Sequence, residues 1–122
     1  MVKIQCIALR SPNPKKLLDF YEKVFGLKFS FHEYPQHYHK DWYVAREEDD
    51  GRAILEIHEL EDGEKFFPVR FSFRANSYLE LQNIKKGIWN YKFPEGHKVP
   101  DTSHEENIML NDIDGNEVCI ML

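Results

Sequence analysis

The chain has 122 residues, a length that suits one compact domain with a real hydrophobic core. Its 42 % apolar and 30 % charged residues are ordinary for a globular protein, and its net charge of −5 disfavours nucleic acid as a partner. The sequence contains neither an apolar run long enough to cross a bilayer nor an N-terminal signal-peptide pattern. We therefore expect a cytoplasmic protein that has no membrane partner.

The first half of the chain predicts a strand, a helix and three further strands. Residues 2–10 alternate as a strand, and a helix follows between the N-cap Asn13 and the stop at Gly26. Asp49-Asp50-Gly51 is typical of a hairpin turn between the last two strands. The three strands after the helix are predicted at residues 27–32, 42–47 and 53–60.

The second half repeats this order. The capping-box pair Ser77 and Glu80 opens a helix after a predicted strand at residues 69–74. The remaining predictions are a strand at 89–93, a long loop at 94–106 that could act as a lid, and closing strands at 107–110 and 117–122.

We therefore predict an α+β fold in one domain, residues 1–122. It consists of two tandem βαβββ modules, at about residues 1–62 and 66–122, which form a curved mixed sheet around a cup with the helices on its outer face.

Segments in both halves carry a family resemblance. They are Ile4 to Arg10, Asn13-Pro14 through Phe20-Tyr21 to Phe25-Gly26-Leu27, Leu55-Glu56-Ile57, and Asp112 to Ile120 with its Asp-Gly-Asn turn. In these segments the chain resembles the vicinal oxygen chelate superfamily, which includes glyoxalase I, bleomycin-resistance proteins and extradiol dioxygenases. The resemblance implies a homodimer, because members of this family commonly pair modules across a two-fold axis.

The resemblance also implies metal ligands at four strand positions that face the cup. This chain carries Cys6, Glu56, Pro68 and Cys119 there, where members usually have His or Gln, Glu, His and Glu. A catalytic metal needs about three protein ligands, and proline offers no side-chain ligand. We therefore expect no cofactor. If a divalent metal is bound, its ligands would be Cys6, Glu56 and Cys119, with His58 as an additional donor; otherwise both cysteines are packing residues.

Glu56 is the candidate catalytic residue, and two interpretations of it stay open. In an apolar cup, burial would raise the pKa of its carboxyl group and make it a general base. If Arg70 or Arg74 pairs with it instead, the pair is structural or orients a polar ligand. Either arginine could also bind an anionic group of the ligand.

His32, His37 and His39 resemble a metal-binding cluster, but their surroundings are typical of a solvated loop. The abundant aromatic residues on the predicted strands favour a pocket for a flat or apolar small molecule.

We therefore predict a small-molecule-binding protein of the glyoxalase/bleomycin-resistance type, with a degenerate metal site and an organic ligand in an aromatic cup. The predicted ligand-binding residues are Glu56, His58, Arg70, Trp42, Trp89 and Tyr91. The alternative is a metal-dependent lyase or dioxygenase with an unusual ligand set around Glu56. A third hypothesis is a structural or regulatory dimer whose cup is filled by side chains.

Overall fold

A computed structural model describes residues 6–32 and 40–122 of the chain. These residues form an α+β fold with two helices and two mixed sheets, so the predicted class is confirmed. The elements are β1 (Ile7–Ser11), α1 (Pro14–Phe25), β2 (Phe29–Phe31), β3 (Trp42–Arg46), β4 (Ala53–Glu59), β5 (Arg70–Arg74), α2 (Tyr78–Asn90), β6 (Asn107–Asn111) and β7 (Glu117–Met121).

The contacts divide the chain into two compact units. The first comprises Met1–Asp19 and Leu27–Phe66, and the second comprises Phe20–Gly26 and Phe67–Leu122. Helix α1 therefore begins in the first unit and ends in the second.

The sheet of the first unit has the strand order β1-β4-β3-β2. Strand β1 is parallel to β4, and the other neighbours are antiparallel. Along β4, Ala53, Leu55 and Ile57 are buried and alternate with less buried residues. Since successive side chains of a strand point to opposite faces, Glu56 and His58 share the other face, as predicted.

The sheet of the second unit has the order β5-β7-β6, with β5 parallel and β6 antiparallel to β7. Its buried face is apolar. On β6 and β7 this face is formed by Ile108, Leu110, Val118 and Ile120.

The predicted starts of both helices and the predicted stop of α1 are confirmed. The Asn13 side chain accepts a hydrogen bond from the backbone N–H of Lys16 at 3.3 Å, and Gly26 ends α1 with a φ of 70°. The Ser77 hydroxyl accepts from the backbone N–H of Glu80 at 3.1 Å and so caps α2. No helix in the described part of the chain is long and apolar enough to span a bilayer.

The predicted strand at residues 89–93 is wrong, because α2 continues to Asn90. The backbone N–H of Tyr91 still donates to the carbonyl oxygens of Gly87 and Ile88. The apolar residues Leu81, Ile84 and Ile88 recur at helical spacing and are buried, which outweighs the β-propensity of the aromatic residues that follow. In the described chain, the second module is therefore βαββ.

The loop after α2 is held by side chains of its own unit. The buried Lys85 ammonium donates to the carbonyl of His104 at 2.6 Å, and the indole N–H of Trp89 donates to the Thr102 hydroxyl at 3.0 Å. These contacts hold two points of the loop against α2. Its role as a lid stays a prediction.

The Asp-Gly-Asn tail is part of a buried hydrogen-bond network. The Tyr21 hydroxyl and the Asn116 amide both donate to Asp112 Oδ2, at 2.6 and 2.9 Å. The backbone N–H groups of Asp114 and Asn116 donate to Asp112 Oδ1. The amide oxygen of Asn116 accepts from the backbone N–H of Val69 at 2.9 Å. Two segments that carry the family resemblance therefore meet in the core of the second unit.

Candidate functional site

The first sheet gathers three donors around one carboxylate. Glu56 Oε1 accepts from the indole N–H of Trp42 at 2.6 Å and lies 3.1 Å from His58 Nε2, and Glu56 Oε2 accepts from the Cys6 thiol at 2.7 Å. The side chains of Glu56 and His58 are only 14 % and 13 % exposed.

Strand register explains this convergence. Glu56 lies on β4, which is flanked by β1 and β3. Ala8 of β1 is paired with Glu56, so Cys6, two residues earlier, lies on the same side of the sheet. Trp42 of β3 is paired with His58, diagonally opposite Glu56.

Aromatic rings lie next to the carboxylate. The Trp42 and His58 rings are stacked, with centroids 4.5 Å apart and an interplanar angle of 30°. The His32 ring lies 4.0 Å from the Trp42 ring, and the backbone N–H of His32 donates to the Trp42 carbonyl at 2.8 Å. We call the five residues Cys6, His32, Trp42, Glu56 and His58 the Glu56 site.

Glu56 is ionised in this site. Burial alone would raise the pKa of its carboxyl group, but the hydrogen bonds from Cys6, His58 and Trp42 lower the pKa below its ordinary value. The pKa of Glu56 is therefore lowered rather than raised as expected for an apolar cup, and its role as a general base stays a prediction. Strand alternation predicted a buried carboxylate but not its three donors.

His58 is neutral near pH 7. Burial lowers the pKa of its imidazole, and this effect outweighs the neighbouring carboxylate, which raises it. An ionised carboxylate only accepts hydrogen bonds, so the proton of the neutral ring is on Nε2 and Nδ1 is an acceptor.

Cys6 is a protonated thiol. Burial, the hydrogen bond to Glu56 and the charge of Glu56 together raise the pKa of the thiol to about 11. A thiol ligates a metal only as a thiolate, so Cys6 in this state is a hydrogen-bond donor.

Arg70, one of the predicted partners of Glu56, pairs with another residue. Both its Nε and a terminal nitrogen lie 2.7 Å from Glu117 Oε2, and its side chain is 72 % exposed. Among the described residues, no arginine forms an ion pair with Glu56.

The other predicted site residues belong to the second unit. Trp89 is 63 % exposed on α2, and the Tyr91 ring packs edge-on against Phe20 at 5.3 Å. Pro68 is exposed ahead of β5, and Cys119 lies on β7 between Ser72 and Met109. His37 and His39 lie outside the described residues. Of the predicted ligand-binding residues, Glu56, His58 and Trp42 are brought together in the first unit.

From the sequence, His32 ends a predicted strand and was grouped with His37 and His39, and its contact with Trp42 was missed. The signal that could have found this contact was the predicted strand at residues 27–32, because it corresponds to β2, which pairs with β3. Within residues 6–32 and 40–122, no group of three or more His, Cys, Asp and Glu side chains is arranged to hold a metal ion.

Several solved structures share this fold. A possible glyoxalase from Bacillus cereus is 17 % identical, covers 100 % of both chains and has a TM-score of 0.63. A mutant of the genomically encoded fosfomycin resistance protein FosX from Listeria monocytogenes, complexed with Mn(II) and 1S,2S-dihydroxypropylphosphonic acid, is 14 % identical. It covers 99 % of this chain and 92 % of its own, with a TM-score of 0.66.

A glyoxalase/bleomycin resistance protein from Albidiferax ferrireducens is 18 % identical and covers 97 % of this chain and 96 % of its own, with a TM-score of 0.60. No curated protein sequence matches the chain. The family model of the Glyoxalase/Bleomycin resistance protein/Dioxygenase superfamily, however, matches residues 3–120. The chain therefore belongs to the glyoxalase/bleomycin resistance protein/dioxygenase superfamily.

Proposed function

We propose that this protein binds a small organic molecule at the Glu56 site without using a resident metal ion. The observation that carries the proposal is the set of three neutral donors that engages the Glu56 carboxylate. A few well-placed polar groups among aromatic rings are typical of small-molecule sites, where the rings supply contact area and the polar groups fix orientation.

The proposal of a degenerate metal site rests on the chemistry of the donors. Glu56 is the single residue that matches the family pattern, and its oxygens are already engaged by Trp42, His58 and Cys6. Cys6 is a thiol, and the Pro68 side chain has no donor atom. The residues present do not fit a divalent metal as they stand, because Cys6 would first have to be deprotonated and Pro68 offers no ligand atom in addition to Glu56.

The alternative, a metal-dependent lyase or dioxygenase with Cys6, Glu56 and Cys119 as ligands, therefore has weaker support. FosX from Listeria monocytogenes is complexed with Mn(II). At its low identity to this chain, that likeness supports a common fold rather than a common metal site.

Three further ligand contacts were predicted from the sequence, namely Arg70, Trp89 and Tyr91. Each already has a partner in the second unit: Glu117, Thr102 and Phe20, respectively. We retain them as proposals of lower rank than Glu56, His58 and Trp42. That the protein is a cytoplasmic homodimer is likewise a proposal, which rests on the family resemblance and on the composition.

A thermal-shift screen of aromatic compounds of all charge types tests the proposed function. A ligand that binds only the native state stabilises it, and each kcal/mol gained should raise the Tm by roughly 4 °C. We expect hits whose shift is lost or greatly reduced in Trp42→Phe, which removes the indole donor, and in Glu56→Gln.

Tyr78→Phe is the control variant, because Tyr78 lies exposed on α2 and outside the Glu56 site. Hits that respond to none of these substitutions would place binding elsewhere. If no compound of a broad library raised the Tm, the binding function would be wrong and the filled-cup hypothesis would be favoured.

A further inference from the structure

We propose that the ligand of the Glu56 site is an organic cation, such as a protonated amine carried by an aromatic or flat apolar group. This inference rests on the proposed function and specifies the chemical class of the ligand. It follows from the charge of the site, its free hydrogen-bonding capacity and its rings.

The Glu56 carboxylate gives the site a negative charge. Trp42 has only an N–H to offer, and the Cys6 thiol and the neutral His58 ring also donate, so the Glu56 carboxylate keeps its full negative charge. Three hydrogen bonds from neutral groups stabilise an anion, but they do not neutralise it.

Two cations, Arg10 and Lys40, lie next to carboxylates other than Glu56. Arg10, whose charge acts on the His58 ring, has its Nε 3.7 Å from Glu64. The Lys40 ammonium lies 2.8 Å from Asp62 and 3.8 Å from Glu59. Both cations are thus matched by other carboxylates, and the largely buried Glu56 is left without a cationic partner in the described chain. A mostly buried anion of this kind favours a ligand that brings the positive charge.

The Glu56 site keeps hydrogen-bonding capacity for a ligand. A carboxylate has about four acceptor positions, and three are used in the described structure, two of them on Oε1. His58 Nδ1 is a further acceptor on the same face of the sheet. An ammonium group carries only donors, so it matches this pair of acceptors, whereas a carboxylate or phosphonate does not.

The Glu56 site also offers aromatic rings to a ligand. The rings of Trp42, His58 and His32 lie close together beside the carboxylate. Indole is the best aromatic partner for a cation, and the flat part of the ligand can be accommodated against such rings. FosX from Listeria monocytogenes is complexed with a phosphonic acid. The Glu56 site opposes such an anion, so we infer a different ligand class for this chain.

The experiment compares three probes that share a phenyl ring on a short linker and carry a positive, a neutral and a negative head group: 2-phenylethylamine, 2-phenylethanol and phenylacetate. Their dissociation constants are measured by NMR titration at neutral pH, following the indole N–H resonance of Trp42, which is identified with Trp42→Phe. We expect the amine to bind at least roughly tenfold more tightly than the alcohol, a difference that one ion pair with cation–π support supplies. Phenylacetate should bind most weakly.

Glu56→Gln keeps the shape of the side chain and should abolish the preference for the amine. Glu105→Gln, which removes one negative charge at an exposed position of the second unit, should retain it. If both variants lost the preference equally, the preference would come from the net charge of the protein and not from Glu56, which would overturn the proposal.

Two further outcomes distinguish a failure of the cation inference from a failure of the binding function. If the alcohol or the acid bound as tightly as the amine and shifted the Trp42 resonance, the cation inference would be wrong while the binding function stood. If none of the three probes bound and the broad screen also gave no hit, both proposals would fail.

Discussion

Glu56 shows how a carboxylate can stay charged in a largely buried position. Burial raises the free energy of an anion, but hydrogen bonds to a charged group contribute about 1.5–3 kcal/mol each, and Glu56 accepts three. The site therefore stabilises one defined charge state. This is the property that a binding site needs if it is to select its ligand by charge.

The strand pattern alone predicted that Glu56 and His58 share one face of β4. It could not predict the contact with Trp42, because that contact depends on the register between β3 and β4, which includes an irregularity at Ala45 and Arg46. The Cys6 contact depends in turn on the parallel pairing of β1 with β4. Side-chain alternation is encoded locally, whereas partners across strands are set by the tertiary fold.

Cys6 offers a residue-scale test of this hydrogen-bond arrangement. In Cys119→Ser, Cys6 is the sole cysteine, and its alkylation rate should follow a pKa of about 11, against 9.0 for an ordinary thiol. Near pH 8 the native thiol should thus react about 100-fold more slowly than in the urea-unfolded chain, because only the thiolate reacts. The measurement is the rate of iodoacetamide labelling between pH 7 and 11.

The raised pKa of the Cys6 thiol also determines how the stability of the protein depends on pH. The contribution of the protonated thiol is fully present below the unfolded pKa of 9.0 and is lost as the pH rises through about 11. Adding Glu56→Gln should speed native labelling, since it removes the charge that opposes the thiolate. A native labelling midpoint below pH 9 would contradict the Cys6–Glu56 contact.

At the scale of elements, the two helices are in close contact at Gly87. A Cβ atom built at this glycine would lie 2.5 Å from the carbonyl oxygen of Val24 in α1. Glycine normally weakens a helix by about 1 kcal/mol relative to alanine, so its presence within α2 is explained by the room that the neighbouring backbone requires.

Gly87→Ala should accordingly destabilise the protein, by about 1–3 kcal/mol, since the helix backbones must move apart. Urea unfolding of the variant measures this loss. Asn83→Ala, at an exposed position of the same helix, is the control and should be neutral or slightly stabilising. If Gly87→Ala were as stable as the wild type, the close approach of α1 and α2 would be refuted.

Helices and their ends were the most predictable elements. Capping groups at Asn13 and Ser77 and a glycine stop at Gly26 act within a few residues, so sequence patterns report them directly. The extension of α2 through Trp89 was missed, because aromatic residues favour strands when packing is unknown. Burial of Ile88 decides in favour of the helix.

For the molecule as a whole, the Asp-Gly-Asn tail that carries the family resemblance has a structural role. Asp112 and Asn116 of the Asp-Gly-Asn tail are fully buried. Asp112 accepts a hydrogen bond from the Tyr21 hydroxyl, and Asn116 accepts one from the backbone N–H of Val69, just before β5. The tail thus stabilises the fold that the chain shares with the superfamily. The strand that follows it carries Cys119 at the position where the family resemblance implies a carboxylate.

The proposed absence of a resident metal ion distinguishes this chain from a metal-dependent member of the superfamily. Its most direct test is the metal content of protein purified without chelator from cells supplied with manganese, iron, nickel and zinc, measured by mass spectrometry for wild type and Glu56→Gln. We expect far less than stoichiometric metal in both proteins, with no difference between them. Stoichiometric metal in the wild type that disappears in Glu56→Gln would contradict it.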